Sequence, residues 1–185
     1  MEIKLPNVRL AFPNVFRPQS VQGSDPKFSA TFLIDPDTKQ GSKLVAQIED
    51  AMVEVANAKW GDKADKILKG LKKQGRVCLR DGDEKAEYDG FEGMMFVSAT
   101  NATKPTVTDR DPNVELTQAD GKPYAGCFVY GYIELWAQDN DYGKRINASL
   151  KGVQFYKDGD AFSGGGVVKS EDMEDLSDLG DDEDD

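Results

Sequence analysis

The chain predicts a mainly β domain with one or two helices, followed by a separate acidic tail. Three observations predict it. Residues 127–138 alternate with a period of two, one side small and aliphatic and the other aromatic or polar, as in a half-buried strand. Residues 42–60 place apolar side chains at i, i+3 and i+4, the stripe of a long amphipathic helix. Residues 171–185 hold ten Asp or Glu and no Lys or Arg. The whole chain has 34 acidic and 23 basic residues, so residues 1–170 are close to neutral and the excess charge belongs to the tail. At 185 residues one domain with a substantial core is affordable. The expected division is a domain over 1–160, a Gly-rich hinge over 161–170, and a disordered acidic tail over 171–185.

Taken in order, Ile3–Phe12 reads as a first strand, and Pro6 within it predicts a sheet edge. Residues 13–26, with three prolines, read as a loop. Lys27–Ile34 is a second strand with Phe28, Ala30, Phe32 and Ile34 on one face, ended by Asp35-Pro36-Asp37. Ser42 is placed to cap a helix reaching Trp60, with Leu44, Val45, Ile48, Met52, Val55 and Ala56 inward and Gly61 as its stop. A shorter helix over 63–73 turns Ala64, Ile67, Leu68 and Leu71 inward and a row of lysines outward. Arg76–Arg80 is a short strand, 81–93 a polar loop with two Asp-Gly turns, and Met94–Ala99 a buried strand. Residues 100–124 form a long connection of the kind that is usually functional.

Tyr124–Tyr156 then makes a long β-hairpin. Cys127, Val129, Gly131, Ile133, Leu135 and Ala137 share one face, and Phe128, Tyr130, Tyr132, Glu134, Trp136 and Gln138 the other. Asp139–Lys144, DNDYGK, is its turn.

Composition excludes several chemistries. The chain has no histidine, which removes the commonest general base and most zinc sites. Cys78 and Cys127 stand alone in apolar runs and read as small core residues in a reducing compartment. Asp109, Asp111, Asn113 and Asp120 have partial calcium-loop spacing, but Val114 occupies the place of the turn glycine. Gly164-Gly165-Gly166 precedes no helix and no GK[ST], so it is no phosphate loop. No catalytic constellation and no cofactor site emerges. The N-terminus lacks a signal-peptide pattern and no apolar run approaches membrane length, so a cytoplasmic protein without membrane contact is expected.

What remains is a small β domain whose aromatics interleave with cations near hairpins, followed by a polyanion. Stacked bases need exposed π-faces, and phosphates need Lys and Arg. A five-stranded OB barrel supplies such a groove.

Two stretches carry a family resemblance, Glu134–Gly166, ELWAQDNDYGKRINASLKGVQFYKDGDAFSGGG, and Val8–Phe16, VRLAFPNVF. With them the chain resembles phage-encoded single-stranded DNA-binding proteins that have a variant OB-fold and an acidic C-terminal tail. The resemblance implies a Greek-key five-stranded barrel with a helix insertion, work in replication, recombination and repair inside the infected bacterium, and no enzymatic activity. It implies binding without sequence preference, by aromatic stacking and backbone electrostatics.

Stacking candidates are Trp136, Tyr142, Tyr130 and Tyr132, with Tyr88, Phe91 and Tyr124 on the rim. Phosphate candidates are Lys144, Arg145, Lys104, Arg110, Arg76, Arg80 and Lys72. In the tail, Glu171, Asp172, Glu174, Asp175, Asp178, Asp181, Asp182, Glu183, Asp184 and Asp185 are expected to compete with DNA and to recruit a polymerase, helicase or primase. A homodimer is left open. The competing readings are an acidic DNA mimic that inhibits a protein, disfavoured by a neutral body, and a metal-dependent nuclease using Asp clusters.

Overall fold

The computed structural model describes residues 1–20, 22–162, 170–178 and 180. The strands are β1 (Glu2–Gln19), β2 (Lys27–Ile34), β3 (Leu79–Asp81), β4 (Met95–Asn101), β5 (Thr106–Thr108), β6 (Phe128–Asn140) and β7 (Gly143–Lys157). Between β2 and β3 lie α1 (Lys39–Trp60) and α2 (Ala64–Lys73), joined by a 3-10 turn over Gly61–Lys63. The sheet order is β3-β4-β2-β1-β6-β7-β5, and a parallel β4–β7 pairing at Thr100 and Ser149 closes it. Strands β1, β2, β4, β6 and β7 therefore form the expected five-stranded barrel with its helix insertion. Strands β3 and β5 are short additions at its margins.

The hairpin is as the alternation demands. Strands β6 and β7 pair from Phe128–Lys157 to Asn140–Gly143, leaving Asp141 and Tyr142 as a tight loop. Val129, Ile133 and Leu135 of β6 meet Ile146, Leu150 and Val153 of β7 in the barrel interior. Each such side chain stabilises the fold by about 1.5–3 kcal/mol on burial. Gly131 belongs to this face too. A Cβ there would lie 2.7 Å from the Phe32 ring, so the phenyl of β2 fills the space that a side chain on β6 would need.

Strand β1 departs from expectation. It pairs with β2 on one side and β6 on the other, so Pro6 is not at an edge, and it continues through Pro13 and Pro18 where a loop was expected. The pairing registers explain how. The β6 register shifts between Leu5 and Val8, and the β2 register between Ala11 and Asn14. Each irregularity contains a proline, which has no N–H to give a ladder. Asn7 and Phe12 sit at φ +49° and +46° in these bulges.

The helix begins at Thr38, not Ser42. The Thr38 hydroxyl accepts the Gly41 N–H at 3.0 Å and donates to the Asp35 carbonyl, while Ser42 N–H already bonds to the Thr38 carbonyl. Helix α1 buries Leu44, Ile48, Ala51, Met52 and Ala56, with Val45 and Val55 at the margin. Helix α2 buries Ala64, Leu68 and Leu71.

A second, smaller core lies outside the barrel. Ala11 of β1, Leu33 of β2 and Phe96 of β4 are covered by Phe91 from the loop after β3, with Met94 and Phe162 packed against them. The hinge expected over 161–170 thus starts with a residue that is docked, because Phe162 N–H bonds to the Ala125 carbonyl and its ring lies 4.3 Å from the Arg9 guanidinium. Residues 163–169, which contain the glycine run, lie outside the described residues.

Candidate nucleic-acid interface

A groove of about 540 Å³ crosses the outer face where β4 and β7 close the barrel. Arg80 of β3, Ser98 and Thr100 of β4, Trp136 of β6, and Arg145 and Asn147 of β7 line it. Alternation on β6 and β7 decides this. Leu135 and Ala148 point into the barrel, so Trp136 and Asn147, which face each other in the register, point out of it. Trp136 is 44% exposed, large for an indole on a packed strand. Lys27 of β2 also lines the groove. It was not among the expected cations, although the parity of Phe28, Ala30, Phe32 and Ile34 already turns it outward.

Three guanidinium groups converge here. Burial pulls the Arg145 pKa down, and the charges of Arg76 and Arg80 add to that. It remains a cation at neutral pH. Among the described residues no carboxylate pairs with Arg145. Arg80 is held by Glu84 at 2.6 Å. Arg76 donates to the main-chain carbonyls of Lys144, at 2.9 Å, and Tyr142, at 3.2 Å, and so fixes the hairpin tip to the segment after α2. A partly buried cation beside two others is stabilised by an anion from outside.

The other aromatic candidates separate into groups. Tyr142 is 87% exposed at the hairpin tip. Tyr130 packs edge-to-face on Tyr156 with centroids 5.3 Å apart, and the Tyr132 hydroxyl donates to Gln154 at 2.9 Å. Tyr124 is tied down through its hydroxyl to Asp158 and Gly159. Tyr88 is 45% exposed and lies against Phe12. Phe91, expected on the rim, is 1% exposed and cannot present a face to a base, because the outer core of Ala11, Leu33 and Phe96 encloses it.

The cations separate likewise. Arg110 lies 5.2 Å from the Tyr156 ring, near the tyrosine group, and Lys104 lies 5.8 Å from Phe16. Lys144 is 3.7 Å from Asp139, whose other oxygen accepts the Trp60 indole N–H at 2.9 Å. That hydrogen bond first, with help from Lys144, holds the Asp139 carboxyl below its usual range. Lys72 sits on α2 in an ion pair with Glu49 at 2.8 Å and does not line the groove.

The partial calcium spacing is used internally. Asp109 pairs with Lys122 at 2.9 Å, Asp111 accepts the Asn113 N–H, and Asp120 closes a capping box with Thr117. Cys78 and Cys127 are buried free thiols, and burial pushes their pKa values up to about 12 and about 11. In the tail, Ser170–Asp172 forms a 3-10 turn, and residues 179 and 181–185 lie outside the described residues. Among the described residues no helix is long and apolar enough to cross a membrane.

The barrel order defines an OB-type domain, a class that binds oligonucleotides or oligosaccharides. The chain belongs to the Enterobacter phage Enc34 ssDNA-binding protein family, whose model matches residues 1–185. It is 47% identical over 180 residues to protein p50 of Acyrthosiphon pisum secondary endosymbiont phage 1, covering 96% of this chain and 95% of that one. The structure of the single-stranded DNA-binding protein from bacteriophage Enc34 in complex with ssDNA is similar at a TM-score of 0.74 and 27% identity, over 88% of this chain and 89% of that chain. The single-stranded DNA-binding protein gp2.5 of bacteriophage T7 shares the fold, with a TM-score of 0.56 at 11% identity over 94% and 95% of the two chains.

Proposed function

We propose that this protein coats single-stranded DNA without sequence preference, as a binding protein and not an enzyme, in phage replication, recombination and repair. The observation that carries the reading is the groove that sets the exposed face of Trp136 beside Arg145, a cation without a carboxylate partner among the described residues. A base stacks on the indole while the adjacent phosphates meet Arg145, Arg80 and Arg76. Every base has a π-face and every nucleotide a phosphate, so neither contact reads sequence. Tyr142, Lys144 and the tyrosine group with Arg110 extend the strand's contacts along the hairpin. Family membership and the likeness to a protein solved with ssDNA support this reading.

The acidic tail acts on the same groove. By composition the Gly-rich stretch after Phe162 is a linker, and a flexible linker of about 15 residues reaches on the order of 20 Å. Its effective concentration at the barrel is therefore about millimolar. Ten carboxylates compete with DNA there, and once displaced they offer themselves to basic surfaces of a polymerase, helicase or primase.

Titration with oligothymidylate, followed by tryptophan emission, tests both parts. Trp136→Ala should weaken binding by ~1–3 kcal/mol, roughly five- to 150-fold, and abolish most of the quenching, since Trp60 does not line the groove. A chain ending at residue 170 should bind more tightly, most at low salt. A folded Trp136→Ala protein with wild-type affinity would remove the groove from consideration, and an unchanged affinity on shortening would remove the tail's competition.

A further inference from the structure

The groove does not stop at Arg80. That guanidinium lies 5.6 Å from the Phe96 ring. Phe96 meets Phe91 at 5.4 Å, and Phe91 meets Phe12 at 5.7 Å and Tyr88 at 6.0 Å. Phe96 and Phe91 are buried, but Phe12 and Tyr88 are 46% and 45% exposed and pack edge-to-face with centroids 5.1 Å apart. An unbroken row of rings thus leads from the groove to an exposed aromatic pair on the outer face of β1.

The surface between them is polar. Ser98 faces Thr31, and Thr100 faces Ser29, across the β4–β2 pairing, and Ser29 accepts a hydrogen bond from Asn14 of β1. Ser29, Thr31, Ser98 and Thr100 on this band are all short side chains. From Trp136 on β6 over β7, β4 and β2 to Phe12 on β1 is four strand spacings of about 4.8 Å, roughly 19 Å. A strand occupying about 4–16 nucleotides on an OB-fold covers that distance.

The backbone explains how Phe12 comes to be exposed. It sits in the β1 bulge at φ +46°, a conformation that a bulky side chain rarely adopts. Such bulges re-aim side chains, and strain of this kind collects where a surface is used. Regular pairing through Ala11 and Asn14 would not leave the ring standing off the sheet over Phe91.

We propose that Phe12 and Tyr88 form a second base-stacking station, reached by the same DNA strand after it crosses β4, β2 and β1 from the Trp136 groove. The proposal rests on the reading that the groove binds single-stranded DNA. The buried ring of Phe91 is the floor that holds the pair in place. Lys85, whose ammonium lies 5.3 Å from the Phe96 ring, supplies positive charge beside it.

The test is affinity against length, using oligothymidylates of about 4 to 16 nucleotides. Trp136→Ala should weaken binding at every length. Tyr88→Ala and Phe12→Leu should leave the shortest bound oligomers unaffected and lower affinity for the long ones by roughly five- to 150-fold. Phe12→Leu keeps an apolar contact with Phe91 and removes only the π-face, and Phe12→Trp should restore long-oligomer affinity. The idea is overturned if Phe12→Leu or Tyr88→Ala proteins with wild-type unfolding midpoints bind all lengths as wild type does; the pair then faces something other than DNA. If Trp136→Ala has no effect at any length, the groove reading fails, and the second station with it.

Discussion

Arg145→Met separates what the groove costs the fold from what it does for a ligand. Arg145 stands half-buried beside Arg76 and Arg80, and its pKa is lowered by burial and by those two charges. Methionine keeps the length and packing of the stem while deleting the charge. The free protein should therefore become slightly more stable, by a change within about 0.5 kcal/mol because the site is open to water. Binding should move the other way. A hydrogen bond to a charged group contributes about 1.5–3 kcal/mol, so affinity for oligothymidylate should fall roughly ten- to 150-fold. The loss must also depend on salt. Each phosphate neutralised on a single strand contributes about 0.7 to the slope of log affinity against log salt, so the deficit should shrink about 2.6-fold between about 50 and about 200 mM salt. Thermal unfolding without DNA and fluorescence titration at several salt concentrations give both quantities on one preparation. A variant that melts earlier, and binds with the wild-type salt slope, would show that Arg145 is a structural residue and that the argument is wrong.

Two further outcomes follow from the packing and the hairpin tip. Gly131→Ala should destabilise the barrel by about 1–3 kcal/mol in chemical denaturation, because its methyl group would have to displace the fully buried Phe32 ring at 2.7 Å; an unchanged midpoint would mean that the ring is free to move. Asp139 is held below its usual pKa, first by the Trp60 indole and then by Lys144. Its folded-state pKa is depressed, so its contribution is present above the unfolded value of about 3.9 and is lost as pH falls through the folded value. Asp139→Asn should thus lower the unfolding midpoint at neutral pH, and the gap from wild type should close as pH falls below about 4. A gap that persists at lower pH would assign the effect to geometry and not to charge.

The elements legible in the sequence were those whose signal is local. The alternation of residues 127–138 determined which side of β6 faces the core, because side chains on a strand can only alternate. The 3.6-residue period marked α1, and Gly61 at φ +57° ended it where expected. Ten carboxylates in the last fifteen residues were visible in composition alone. Tertiary structure decided the rest. Pro6 and Pro13 read as an edge and a loop, yet both lie in an interior strand, because pairing with β2 on one side and β6 on the other outweighs a local breaker once a bulge absorbs it. By sequence Phe91 lies in a polar loop and Phe12 at the end of a strand, yet Phe91 is buried and Phe12 is thrust outward by a bulge. The gathering of Arg80 and Arg145 beside Trp136 depends on the β4–β7 closure. That closure joins Thr100 to Ser149, far apart along the chain, and no local pattern records a contact at that distance.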